Sequence, residues 1–230
     1  MQTIGMLGGM SWQSSGEYYR LANELVRERL GEAHSARCIL ASIDFADIEP
    51  LQASGRWSEA GDLLAAAAQG VERAGADLLL VCTNTMHKVV DQIEAAISIP
   101  LVHIADVAAT AVVATGSSTV GLLGTAFTME QDFYRARLER HGLTVVVPGA
   151  DDRALVHRVI YEELALGRIL DSSRQRLREV IARLVTVGVE GVVLGCTELE
   201  LLVGAGDSTV PLFPTTRLHV EAAVELALRT

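Results

Sequence analysis

At 230 residues, half of them hydrophobic and 21% charged, the chain is long enough for one large α/β unit or two small ones. Its formal net charge of −10 argues against nucleic-acid binding, which needs basic patches, and no apolar run approaches the roughly 20 residues that span a bilayer. Three cysteines cannot build a disulfide framework, and glycines and polar residues appear by position 8 where a secretory signal would stay apolar, so free thiols in the cytoplasm are expected. In chain order, residues 3–7 predict a strand, 16–29 a helix, 38–43 a strand, 59–74 a helix, 78–81 a strand, 88–96 a helix, 101–104 a strand and 106–114 a helix. The alternation continues with strands at 120–123, 144–147, 192–194 and 210–213 and helices at 129–140, 153–166, 173–187 and 219–228. Short apolar strands alternating with helices predict an α/β fold whose strands are parallel and buried.

The two halves carry the same landmarks. Ala74-Gly75-Ala76-Asp77-Leu78-Leu79-Leu80-Val81-Cys82-Thr83 reads against Val187-Gly188-Val189-Glu190-Gly191-Val192-Val193-Leu194-Gly195-Cys196-Thr197, which places the cysteines 114 residues apart. Thr3-Ile4-Gly5-Met6-Leu7-Gly8 matches Thr119-Val120-Gly121-Leu122-Leu123-Gly124, and Ile99-Pro100-Leu101 matches Val210-Pro211-Leu212. Three matches in one order indicate an internal duplication. The expected architecture is two similar lobes, each a parallel sheet flanked by helices, related by a pseudo-twofold axis with a cleft between them. Facing cysteines in such a cleft would suit moving a proton from one face of a carbon to the other.

In open parallel sheets ligands bind beyond the carboxyl ends of the strands, and both cysteines fall at that edge. A lone strand-end cysteine is most often a small buried hydrophobe, the reading kept for Cys38. The duplicate raises Cys82 and Cys196 above that reading. Each is followed by threonine, in Cys82-Thr83-Asn84-Thr85 and Cys196-Thr197-Glu198, so hydroxyls and the amides of a starting helix should favour a thiolate. Asn84, Thr85, Thr125, Thr128 and Thr197 are either ordinary helix caps or, converging on one edge, a carboxylate cradle. His87 reads as a surface cap or a group that tunes the thiol, with the first favoured. Gly8-Gly9-Met10-Ser11 lacks the third spaced glycine of a dinucleotide fingerprint, no Gly-x-Ser-x-Gly elbow occurs, and the six histidines show no metal-ligand spacing. No nucleotide, serine nucleophile or metal is expected.

Gly8-Gly9-Met10-Ser11-Trp12, Cys82-Thr83-Asn84-Thr85-Met86-His87, Leu123-Gly124-Thr125, Thr128-Met129 and Gly195-Cys196-Thr197-Glu198 together resemble the aspartate/glutamate racemase family, in its bacterial amino-acid racemase branch. Ile43-Asp44-Phe45 and Glu162-Glu163-Leu164 followed by Gly167 extend the resemblance over nearly the whole chain. The resemblance implies racemisation without a cofactor, a homodimer, and a carboxyl-terminal segment packed back on the first lobe, so that residues 1–104 with 213–230 form one lobe and 105–212 the other. It implies Cys82 and Cys196 as the two catalytic bases, and Met10, Gln52, Thr83, Asn84, Thr85, Thr125 and Thr197 around an amino-acid substrate. Glu198 and Met10 stand where glutamate racemases of the superfamily carry a histidine and an aspartate, which disfavours a peptidoglycan-type glutamate racemase. Leu166 stands where aspartate-preferring relatives carry a basic residue, with Arg168 beyond Gly167, and Pro214 stands where relatives usually show aspartate. A neutral or variable side chain is therefore expected. The alternatives are a strict aspartate or glutamate racemase, hydantoin racemisation, arylmalonate decarboxylation or maleate isomerisation on the same scaffold, and a non-enzymatic carboxylate-binding protein whose thiols sense oxidation.

Overall fold

The computed structural model describes Met1–Arg229. Thr230, the last residue of the segment expected to return to the first lobe, lies outside the described residues. The chain divides into two compact units, Met1–His103 with the chain from His219 on, and Ile104–Leu218.

The first unit runs β1 (Ile4–Gly8), α1 (Trp12–Leu30), β2 (Cys38–Ser42), α2 (Phe45–Ala53), α3 (Trp57–Arg73), β3 (Leu78–Val81), a 3-10 helix (Thr85–Val89) and α4 (Val90–Glu94). Its three-stranded parallel sheet has the order β2-β1-β3. Central β1 and neighbouring β3 are buried along their whole length, as parallel strands between helix layers should be. β2 departs from the expected buried strand. It is an edge with Leu40 and Ser42 exposed, and Cys38, expected as plain core in mid-strand, is its half-buried first residue. Leu7, Ile48, Leu64, Leu79, Val81, Met86 and Ile93 pack the core on one side of this sheet.

The second unit runs α5 (Ile104–Ala114), β4 (Thr119–Gly124), α6 (Ala126–Glu130), α7 (Asp132–Glu139), β5 (Thr144–Val146), α8 (Ala150–Glu162), a 3-10 turn (Leu164–Leu166), α9 (Asp171–Thr186), β6 (Gly191–Gly195), α10 (Leu199–Leu202), a 3-10 turn (Ala205–Asp207) and β7 (Leu212–Pro214). Its four-stranded parallel sheet has the order β5-β4-β6-β7. α11 (Thr215–Leu228) closes the chain, and the passage back to the first unit falls inside it and not at residue 213, because Phe213 and Pro214 extend the second sheet. Pro214 ends an edge strand, where a missing N–H costs no ladder bond.

The duplication is visible in hydrogen bonds. Asp77 and Glu190 precede β3 and β6, and each carboxylate accepts the N–H of the threonine that opens the neighbouring strand, Thr3 at 2.6 Å and Thr119 at 3.0 Å. The carbonyls of Pro100 and Pro211 accept from Leu79 and Val192, both at 2.9 Å. The copies then diverge. β7 is a strand, whereas its counterpart, the strand expected at 101–104, shrinks to a single bridge between Leu79 and Leu101, with Ile104 already opening α5. Three further expectations change. The helix at 129–140 is broken by extended Gln131, the helix at 88–96 begins as a 3-10 turn, and α2 forms where none was expected. Asp44 caps α2 by accepting the Ala46 N–H at 3.0 Å, and the helix runs through Pro50 in its interior.

Candidate functional site: two cysteine turns

Each unit presents one thiol just past the carboxyl end of a strand beside its central one. In the first unit, Leu7 of β1 pairs with Val81 of β3, and the Cys82 N–H continues the ladder by donating to the Leu7 carbonyl at 2.9 Å. The Cys82 carbonyl accepts the Ser14 hydroxyl at 3.1 Å. The Thr83 N–H folds back on Val81 O at 2.8 Å, and the Thr83 carbonyl pairs with His87 Nδ1 at 2.8 Å. Every peptide group around Cys82 is therefore tied down.

Ser14 reaches this turn because Gly8-Gly9-Met10-Ser11 swings β1 sharply into α1. Gly9 sits at φ +89°, and a Cβ there would fall 1.9 Å from Ile43 O, so only glycine fits. Ser11 caps α1 on the Ser14 N–H at 3.3 Å, and the Ser15 hydroxyl accepts the Gly9 N–H at 2.7 Å. Met10 is buried among Leu7, Ile48 and Met86. Buried Gln52 donates through Nε2 to Met86 Sδ at 3.0 Å, which places α2 against the Cys82 turn. Asn84 and Thr85 are buried in that turn and Thr83 is half-buried. Thr83, Asn84 and Thr85 thus share the Cys82 turn, Gln52 reaches Met86 four residues beyond the thiol, and Met10 lies in the same core cluster as Met86.

In the second unit Gly124 pairs with Gly195 across β4 and β6, and Thr125 and Cys196 leave those strands side by side. Thr125 caps α6 by accepting the Thr128 N–H at 3.3 Å, and its hydroxyl lies 3.2 Å from that of Thr128. The polar partner of the thiol is Glu198. Cys196 Sγ donates to Glu198 Oε2 at 3.0 Å, and Thr197 Oγ1 donates to the same oxygen at 2.7 Å. Cys196, Thr197 and Glu198 are all buried.

Hydroxyls and helix amides were expected to favour thiolates. The balance goes the other way. Burial pushes the Cys82 thiol well above its ordinary range, with Cys38 the lesser cause. Burial likewise pushes Cys196 up, and the Glu198 charge and hydrogen bond add to it, outweighing the opposing amides of Glu198 and Leu199. Cys38 is pushed up by burial to about 11.

His87, favoured above as a surface cap, is buried. Its ring lies edge-on to His103 at 4.7 Å and to His219 of α11 at 5.9 Å. His219 Nε2 pairs with Val102 O at 2.7 Å and its Nδ1 with Tyr18 OH at 2.8 Å. A carbonyl only accepts, so the proton sits on Nε2 and Nδ1 accepts from tyrosine. Burial, with His87 adding, holds His219 down to about 3. Sequence spacing gave no hint of this cluster. Glu198 is legible in the sequence as a carboxylate two residues after the thiol, where it departs from the family motif. Among the described residues, no group of three or more histidine, cysteine, aspartate or glutamate side chains could hold a metal ion, and no helix is long and apolar enough to cross a membrane.

The profile of the Asp/Glu/Hydantoin racemase family matches residues 7–223. The chain belongs to this family. A crystal structure described as a candidate Asp/Glu racemase from Yersinia pestis is 52% identical, with all of both chains covered and a TM-score of 0.93. An aspartate racemase homologue from Pyrococcus horikoshii OT3 is 36% identical over 99% of each chain, with a TM-score of 0.87. Glutamate racemase from Aquifex pyrophilus, 14% identical over 97% of this chain and 83% of its own with a TM-score of 0.62, shares the fold. The family assignment accounts for two parallel sheets flanked by helices in one duplicated chain.

Proposed function

We infer that this protein is an amino-acid racemase that works without pyridoxal phosphate or metal, using Cys82 and Cys196 as paired acid and base on a small amino-acid substrate. The observation that carries the reading is the repeated placement of a buried thiol past the same strand of each duplicated sheet, within a racemase family. The α-hydrogen of an amino acid is a very weak acid, so a base must be strong and the growing carbanion must be met by donors. A thiol whose pKa burial raises gives a stronger base once ionised. In one direction a thiolate takes the α-proton and becomes a thiol, while the second thiol protonates the other face and becomes a thiolate. The enantiomer reverses the roles. Met10, Gln52, Thr83, Asn84, Thr85, Thr125 and Thr197 surround the substrate in this reading, with the hydroxyl and amide groups among them facing its carboxylate.

The side chain accepted is neutral or variable. Leu166 is exposed in a stretch that also exposes Ile169 and Leu170, and Arg168 is the cation nearest in sequence. The working assembly is a cytoplasmic homodimer. Trp12 and Tyr19, exposed by 71% and 54% and seven residues apart on α1, and Leu40 on edge strand β2 give the first unit an apolar surface of the kind a second copy covers.

Reduced protein incubated in D₂O with acidic, neutral and basic L-amino acids tests the reading directly. α-Deuterium and D-product, unaffected by a chelator and without added pyridoxal phosphate, are expected. Turnover of hydantoins or maleate alone would reassign the substrate, and ligand binding with no exchange would leave a thiol-bearing carboxylate binder.

A further inference from the structure

The Thr125 turn is held from behind by a histidine. The N–H of Ala126, the first residue of α6, points at His157 Nδ1 of α8 at 3.2 Å. A backbone N–H can only donate, so Nδ1 must offer a lone pair, and the imidazole is neutral with its proton on Nε2. The ring is clasped between Tyr161, whose centroid lies 4.6 Å away at a tilt of 49°, and the edge-on ring of Phe127 at 6.3 Å. It therefore cannot turn its Nδ1 away without disturbing the residue that follows Ala126.

The charges facing His157 are those of Glu130 on α6 and Glu162 on its own helix, and both favour the protonated form. Glu130 is engaged at 2.9 Å by Arg153, which also donates to Pro148 O at 2.8 Å. β4 and the Leu164–Leu166 turn bring no ionisable group, and from α9 Arg176 and Arg183 are taken by Glu163 and Asp152. Burial is the largest influence and lowers His157 below its ordinary value of 6.5. The neutral acceptor thus persists into mildly acidic solution.

We propose that His157 is a positioning residue for the Thr125–Thr128 turn, acting only as the neutral imidazole whose Nδ1 accepts the Ala126 N–H. A proton on Nδ1 sets two N–H groups against each other and releases the turn. The functional consequence, weaker binding of the substrate carboxylate on the acid side, rests on the placement of Thr125 in the cradle.

Two readouts separate the pin from that placement. In ¹⁵N-labelled full-length protein, the Ala126 amide is expected to titrate together with the His157 ring, and to lose its pH dependence in His157→Asn, whose Oδ1 stands in for Nδ1 without titrating. An Ala126 amide that ignores the His157 titration overturns the proposal. In racemisation assays KM should rise in acid for the wild type and stay flat over that step in His157→Asn. His157→Leu should raise KM about fivefold at every pH, the worth of one net hydrogen bond, with kcat nearly unchanged. A coupled amide titration with an unaltered KM in His157→Leu upholds the pin and removes Thr125 from the carboxylate cradle.

Discussion

The two cysteine turns occupy the same station in the repeat, yet their polar partners act on different atoms. Around Cys82 the hydrogen bonds hold the backbone, the Cys82 N–H donating to Leu7 O and the Cys82 and Thr83 carbonyls pairing with Ser14 and His87, and the thiol is governed by burial. At Cys196 the thiol itself donates to a carboxylate on the same turn. A carboxylate is a far weaker base than a thiolate, so Glu198 keeps the Cys196 proton in place and opposes its ionisation. Duplication thus fixed where the thiols stand, and later divergence of single residues set how each holds its proton. In a two-base reaction one thiol must begin ionised and the other protonated, and the Glu198 contact gives the ligand-free protein a physical reason to keep the proton on Cys196.

The largest test removes the thiols. Cys82→Ser and Cys196→Ser should each lower racemisation by at least about 100-fold, since a positioned acid or base contributes that order of rate. Each variant should retain α-deuterium exchange with one enantiomer only, read by NMR beside chiral chromatography. Full racemisation in either would end the pairing of the turns.

Acid stability comes next, and it belongs to the Cys82 side. Folded His219 titrates near 3 against an ordinary 6.5, so between those values the unfolded chain holds a proton that the native chain does not. Stability is therefore fully present above about 6.5 and falls with decreasing pH, by up to about 1.4 kcal/mol per pH unit, until the folded value is reached. Denaturant midpoints across that window should show the slope in the wild type and lose it in His219→Asn.

Glu198→Gln sharpens the contrast between the thiols. Removing the charge takes away one influence that raises Cys196 and weakens the hydrogen bond that is another, so its thiolate absorbance should appear at lower pH while that of Cys82 stays put. A Cys196 absorbance that does not move would show that burial alone separates this thiol from ordinary cysteine. The smallest effect is expected from Ser14→Ala. It deletes one hydrogen bond to the Cys82 carbonyl, worth about 1 kcal/mol, and should slow turnover severalfold without changing the thiol titrations.

Much of the scaffold was legible in the sequence because a strand-helix alternation and a repeat are local signals. The periodic apolar runs gave β1, β3, β4 and β6 to within a residue or so, and the paired Gly-Ala-Asp and Gly-Val-Glu approaches to the cysteines gave the repeat, whereas the carboxylate contacts to Thr3 and Thr119 came only with the structure. α2 escaped because a proline at its centre masks a helix that Asp44 starts. The strand expected at 101–104 failed because one backbone bridge is all that the edge of β3 receives there, and sequence periodicity does not count partners.

The sequence by itself determined the duplicated parallel α/β plan, the position of Cys82 and Cys196 at strand ends, and the glycines on which the sharp turns depend, since all of these follow from local pattern and backbone sterics. Only the tertiary structure decided the chemistry of the thiols. Ionisation depends on how much water is left as well as on who stands within a few ångströms, and the side chains that exclude water from Cys196, Leu123, Met129, Val156 and Leu177 among them, come from distant points in the chain. His219 meets Tyr18 across 201 residues of sequence, and His157 meets Ala126 across 31. The donors expected to lower the cysteine pKa values are present at Cys196 but are outweighed by burial and by Glu198, a balance that no spacing of residues along the chain can express.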